Sequence, residues 1–156
     1  MRYQVSAAVQ SEFEWIVART GCHVGADFRA IKAVNSEGAI VGMTAYDTWT
    51  ANSVQLHVAF KTPDVCRSII GPSFYYPFVE AKRNIALAYV PSNNVTSLKF
   101  CNHIGFQRVY TIHNGFEVGI DVHLLLMKKQ DCKWISDGWM KRGGFKHGQK
   151  FSAAAA

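Results

Sequence analysis

A mixed α/β sheet with an α+β order of elements and helices on both faces is the fold class this sequence predicts, and three observations carry it. Alternating apolar residues between positions 28 and 60 mark a three-stranded meander. An unbroken apolar run from Ile85 to Val90 marks a strand covered on both sides, and a capped helix separates that run from a closing hairpin. With 156 residues, 49% of them apolar and 18% charged, the chain has the length of one domain and the composition of a packed one.

The first helix is expected at Ser11-Glu12-Phe13-Glu14, a capping-box pattern in which the serine hydroxyl meets the N3 amide and Glu14 reaches back. Phe13, Ile16 and Val17 give it an apolar stripe, and Gly21 supplies the stop. Strand patterns follow at residues 28–34, 39–46 and 54–60; in the last, Val54, Leu56, Val58 and Phe60 share one face and Gln55, His57 and Ala59 the other. Turns at Ser36-Glu37-Gly38 and Thr50-Ala51-Asn52-Ser53 make these three strands an antiparallel meander. Residues 64–70 form a short helix that Gly71-Pro72-Ser73 interrupts, and residues 74–82 resume a helical pattern that Pro77 kinks. After the buried strand, which ends at Pro91, Asn94 caps a helix whose Val95, Leu98, Phe100, Cys101 and Ile104 face inward, and Gly105 ends it in the left-handed conformation. Residues 106–112 and 117–127 then pair around Asn114-Gly115, a type I′ hairpin signal, with Val118, Ile120, Val122, Leu124 and Leu126 on one face of the second strand.

Charge divides the chain at residue 127. Residues 128–156 carry seven Lys or Arg against Asp131 and Asp137, whereas the rest holds ten basic and nine acidic side chains. The expected organisation is a nearly neutral domain over residues 1–127 and a basic, partly flexible extension over 128–156. Nucleic acid or an acidic partner is the class of ligand such an extension would take, although a solvated surface accounts for the same charges. Cys22, Cys66, Cys101 and Cys132 lie far apart, without C-x-x-C or zinc-finger spacing, so neither a metal site nor a disulfide framework is expected and reduced thiols fit a cytoplasm. No apolar run approaches the roughly 18 residues that cross a bilayer, and Met1 to Gln10 lacks a signal-peptide pattern, so no membrane partner or export is expected. The edge of the closing hairpin is a place for a second copy to pair as a homodimer.

The stretch from Ala88 to Phe106, with its buried strand, Asn94 at the next helix start and the helix ending in Gly105-Phe106, resembles the GCN5-related N-acetyltransferase (GNAT) superfamily. Element order extends the likeness over roughly residues 3–127. Lys61 to Arg67 before a helix, together with Met127 to Trp134, is similar to small GNAT-like proteins of tailed phages, which would place the chain in a bacterial host cytoplasm or a virion. The resemblance implies acetyl-CoA as co-substrate and a primary amine, on a small molecule or a protein, as acceptor. Family members hold the coenzyme A pyrophosphate in a Gln/Arg-x-x-Gly-x-Gly/Ala loop. Here Arg67-Ser68-Ile69-Ile70-Gly71-Pro72-Ser73 departs from that pattern, one residue too long between Arg67 and Gly71, so Arg67, Ser68, Gly71 and Ser73 form a degenerate cradle. That degeneracy favours the rival reading, a GNAT-shaped structural or interaction protein without catalysis.

In the implied fold the pantetheine arm lies as a pseudo-strand along Val58 and Phe60, and a backbone amide near Val58 polarises the thioester carbonyl. Asn94 and Ser97 contact the arm from the helix start, or Asn94 serves as a cap alone. Acetyl transfer also needs a base for the acceptor ammonium. His57 is the candidate, since imidazole titrates near about 6.5; His103 and His123 are alternatives, and an ordinary hydrogen-bonded surface histidine is the plain reading of His57. Cys101 occupies the position where many members carry a Tyr as acid; it is either that acid or a core residue, with Tyr89 and Tyr110 as substitutes. Phe74, Tyr75 and Tyr76 either line an acceptor pocket or pack on the sheet.

Overall fold

The computed structural model describes residues 2–142 and 150–151. Seven strands form one sheet in the order β1-β2-β3-β4-β5-β7-β6. They are β1 (Gln4–Ala7), β2 (Arg29–Val34), β3 (Ile40–Asp47), β4 (Ser53–Phe60), β5 (Ile85–Pro91), β6 (Gln107–Glu117) and β7 (Ile120–Lys128), with helices α1 (Glu14–Thr20), α2 (Pro63–Tyr75), α3 (Val95–Ile104) and α4 (Asp137–Arg142). All pairs are antiparallel except β4 with β5. One face carries α1, whose buried Ile16 joins Ala30, Met43 and Ala45. The other carries α2 and α3, with Ile69, Phe74, Cys101 and Ile104 packed on Leu56, Ala88 and Leu125. The expected fold class is the observed one, and the meander stands within a residue of its expected limits.

Several local expectations are corrected. β1 escapes a pattern search because it has four residues and only Val5 among them is buried. The capping box is displaced: Glu12, not Glu14, reaches back, to the Val9 amide at 2.9 Å, and a 3-10 turn at Gln10–Glu12 precedes α1. Gly71-Pro72-Ser73 does not interrupt its helix, and α2 runs from Pro63 at its first position through to Tyr75, followed by a π turn at Tyr76–Glu80. Tolerance of Pro72 has visible supports: Ser73 Oγ donates to the Ile69 carbonyl at 2.7 Å and pairs with Thr44 Oγ1 at 2.7 Å, while Tyr46 donates to the Ser73 carbonyl. Asn114-Gly115 is not the hairpin turn. Asn114 sits at φ 56° inside an irregular stretch of β6; its side chain accepts from the Gly119 amide and its own amide donates to Asp121, so the chain reverses at Val118-Gly119 instead. On β7 the deeply buried residues are His123, Leu125 and Met127, not the Val122, Leu124 and Leu126 face, because this strand is apolar on both sides. Val95 of α3 is exposed.

The described residues after 127 include several that pack on the domain. Cys132, Trp134, Met140 and Phe151 are buried, and the Trp134 indole donates to the Ile104 carbonyl at 2.7 Å. Gly71 permits this, since a Cβ there would lie 2.9 Å from Met140 Sδ. Most of the basic stretch at 143–150 lies outside the described residues. β6 forms an open edge with Val109, Tyr110 and Ile112 exposed. Among the described residues no helix is long and apolar enough to cross a membrane.

α2 approaches the sheet over Gly42 of β3, where an added Cβ would meet a Val65 methyl at 2.6 Å. Valine has little rotamer freedom with which to withdraw. Gly42→Ala is expected to destabilise the fold by about 1–3 kcal/mol in a urea titration, through overpacking.

Candidate functional site

The site begins where two strands part. β4 pairs with β5 only from Ser53↔Ile85 to Gln55↔Leu87. Beyond that point β4 stays with β3 as far as Phe60, and β5 stays with β7 as far as Pro91. Leu56 to Phe60 and Ala88 to Pro91 therefore face each other across a gap with no ladder between them. A cleft of about 590 Å³ occupies this gap, lined by Val58, Ala88, Asn94, Ser97 and Cys101 among others. The Phe60 ring, at the end of β4, packs on Phe100 of α3, centroids 5.2 Å apart, and does not itself line the cleft.

His57 lines the cleft on the face of the sheet that carries α1, as its alternation with Leu56 requires. Its Nε2 lies 2.9 Å from Asp47 Oδ2, and both side chains are mostly buried, at 19% and 16% exposure. Among the described residues Nδ1 of His57 has no hydrogen-bond partner; in the tautomer that donates from Nε2 to Asp47, Nδ1 is a free lone pair. Asp47 was not singled out in the sequence. The signal lay in the register: Asp47 pairs with Gln55 on β4, two residues from His57, so both side chains sit on one face.

Asn94 caps α3, accepting from the Ser97 amide at 3.2 Å, and both residues line the cleft. Cys101 lines its floor, and burial pushes the thiol up to about 11, which keeps it protonated at neutral pH. Tyr89 lines the opposite side, on β5. Phe74 reaches the cleft, whereas Tyr76 packs on Tyr46 and Trp49. His103 is exposed on α3, Tyr110 is exposed on β6, and His123 is buried on β7 with Nδ1 2.8 Å from Thr111 Oγ1; none of the three lines the cleft. Arg19, Thr20, Asn93 and Phe116 line it without having been anticipated.

The expected phosphate cradle is corrected. Arg67, Ser68, Gly71 and Ser73 stand inside α2, so they form no loop. Gly71 is buried under the C-terminal segment, and the Ser73 hydroxyl is committed to Ile69 and Thr44. The link from β4 to α2 is Lys61-Thr62, and Thr62 gives the helix no side-chain cap. That helix start has amides free of side-chain caps, with Asp64 in the first turn bonded to both Arg2 and Arg67 at 2.8 Å. Two guanidiniums against one carboxylate leave the region cationic, which suits an anion. The arrangement thus fits a phosphate group at Thr62–Arg67 and does not fit one at Gly71 or Ser73. Among the described residues no cluster of three or more His, Cys, Asp or Glu is placed to hold a metal ion.

No family model matches the chain, and no curated protein matches it in sequence. Solved structures do match in shape. The spermidine/spermine N-acetyltransferase SpeG from Vibrio cholerae, solved with manganese ions, superposes with a TM-score of 0.67 at 11% identity, over 81% of this chain and 92% of that one. The Vibrio cholerae spermidine N-acetyltransferase in complex with CoA and spermine gives 0.68 at 10% identity, over 86% and 99%. A dodecameric structure of the same enzyme gives 0.66 at 10% identity, over 83% and 95%. At such identities the likeness concerns architecture, and with the parted strands it leads to one conclusion: this chain has the fold of the GNAT N-acetyltransferases.

Proposed function

We propose that the chain is an N-acyltransferase that uses acetyl-CoA and transfers the acetyl group to a primary amine by direct attack on the thioester. The observation that carries this reading is the cleft between β4 and β5, whose edges are free of ladder hydrogen bonds and whose wall holds His57, backed by Asp47. The solved neighbours of the same fold include a complex with CoA and spermine, which supports the choice of co-substrate.

Acetyl-CoA supplies the activated acyl group. The backbone of Leu56 to Phe60 offers hydrogen bonds to an arm laid beside it, as an exposed strand edge does to a peptide. Asn94 and Ser97 border that arm at the start of α3, and Arg67 with the first turn of α2 meets its phosphates. His57 accepts the proton of the acceptor ammonium at Nδ1 while Asp47 stabilises the resulting imidazolium through Nε2. Cys101 holds a proton at the floor of the cleft, where a departing thiolate needs one.

Three outcomes test this reading. His57→Gln is expected to lower kcat by about a hundredfold or more in a thiol-release assay, with acetyl-CoA affinity by calorimetry unchanged. Asp47→Asn keeps the size of the side chain and removes its charge, so kcat should fall by about tenfold or more at unchanged acetyl-CoA affinity. Asn94→Asp preserves the helix cap, since Asp and Asn cap equally well. It sets a carboxylate against the arm, so acetyl-CoA affinity should fall about tenfold at unchanged Tm. Absence of acetyl-CoA binding at millimolar concentration in the parent chain overturns the reading and leaves a structural or interaction protein of the same fold.

A further inference from the structure

Resting on the reading of the cleft as an amine-acceptor site, the geometry points to an acceptor that carries a carboxylate as well as its amine, held by Arg19, and not to a polyamine. The cleft wall contains no Asp or Glu among the described residues, and Arg19 is the one side chain on it that is charged at every physiological pH. Asp47 stands behind His57, its carboxylate committed to Nε2 at 2.9 Å and approached by the Thr48 hydroxyl at 3.3 Å. A polyamine brings several ammonium groups, and each must exchange its water for carboxylates or carbonyls. An arginine at the mouth adds repulsion to that cost.

The Arg19 guanidinium is set in place by its own helix. Its carbon lies 3.7 Å above the Trp15 ring, and Nη1 donates to the Trp15 carbonyl at 2.8 Å. A planar fork held on an aromatic face loses little freedom on meeting a carboxylate, which it can bind through two parallel hydrogen bonds. Arg19 belongs to α1, on the sheet face where His57 also points, so the amine-accepting nitrogen and the cationic fork line the same side of the cleft. Tyr89 and Phe116 line the wall as well and supply apolar surface for the carbon skeleton joining the two ends of the acceptor. Amine toward His57 and carboxylate toward Arg19 is the orientation these charges favour.

The test compares ω-amino acids with diamines of equal chain length, from about two to six carbons, with acetyl-CoA binding measured separately by calorimetry. The expected result is a kcat/KM at least about tenfold higher for the amino acid than for its matched diamine, lost in Arg19→Gln and reversed in Arg19→Glu, with acetyl-CoA affinity unchanged in both variants. Equal use of both series, preference for diamines or spermidine, acetylation of neither series by a chain that binds acetyl-CoA, or indifference to the charge at position 19 overturns the inference while leaving acyl transfer in place. Loss of acetyl-CoA binding in the parent chain would instead remove the acyltransferase reading on which the inference rests.

Discussion

Everything in the cleft follows from the point at which β4 and β5 stop sharing hydrogen bonds, after Gln55 and Leu87. A strand inside a sheet normally spends its amides and carbonyls on both neighbours, and a buried group left without a partner costs about 1–3 kcal/mol. Here each strand keeps its outer neighbour and turns its inner edge toward a space. That edge is tolerable where water or a ligand reaches it. A ligand able to donate and accept along an extended chain satisfies the two edges better than scattered water, because its groups arrive already linked. The parting of the strands thereby creates both the volume of the site and the hydrogen-bonding pattern it selects.

The parted strands are held by elements on both sides of the sheet. α2 starts directly from β4 through Lys61-Thr62 and is seated over Gly42 by Val65, which carries the chain away from β5. α3 rises from β5, fixed by the Asn94 cap at one end and by the left-handed Gly105 and the Trp134 bond to the Ile104 carbonyl at the other. Phe60 meeting Phe100 joins the end of β4 to α3. Trp134, within the stretch set apart by its charge in the sequence, thus supports the helix that forms one wall, while Met140 packs over Gly71 of α2.

Much of this was legible because it is local. Asn94 and Gly105 announce a helix through side-chain capping and backbone conformation, and the β4 alternation puts His57 opposite Leu56 whatever the tertiary arrangement. What escaped was set by distant contacts. Pro72 reads as a breaker until Thr44 and Tyr46, on another element, are seen binding Ser73. Gly71 reads as a phosphate-loop glycine until Trp134 and Met140 occupy the space above it. Asn114-Gly115 carries a turn signal, but the left-handed Asn114 is used within β6 and the reversal falls to Val118-Gly119. Asp47 remained hidden for a different reason: its partnership with His57 depends on the register of β3 against β4, which alternation alone does not fix.

Similarity of backbone and similarity of chemistry separate in this molecule. The superposition with polyamine acetyltransferases spans most of the chain at 10–12% identity, so the fold is shared while most side chains differ. The gap is a property of hydrogen-bond topology and selects for an extended, amide-bearing arm. The mouth is a property of side chains, and here those are an arginine stacked on tryptophan, a histidine backed by aspartate and two exposed aromatic rings. A cationic acceptor site would need carboxylates facing the cleft; among the described residues none lines it, and Asp47 is turned to His57. On the acceptor reading proposed above, charge at the mouth sets which amine enters without altering the path of the strands, so a shared backbone does not carry a shared acceptor.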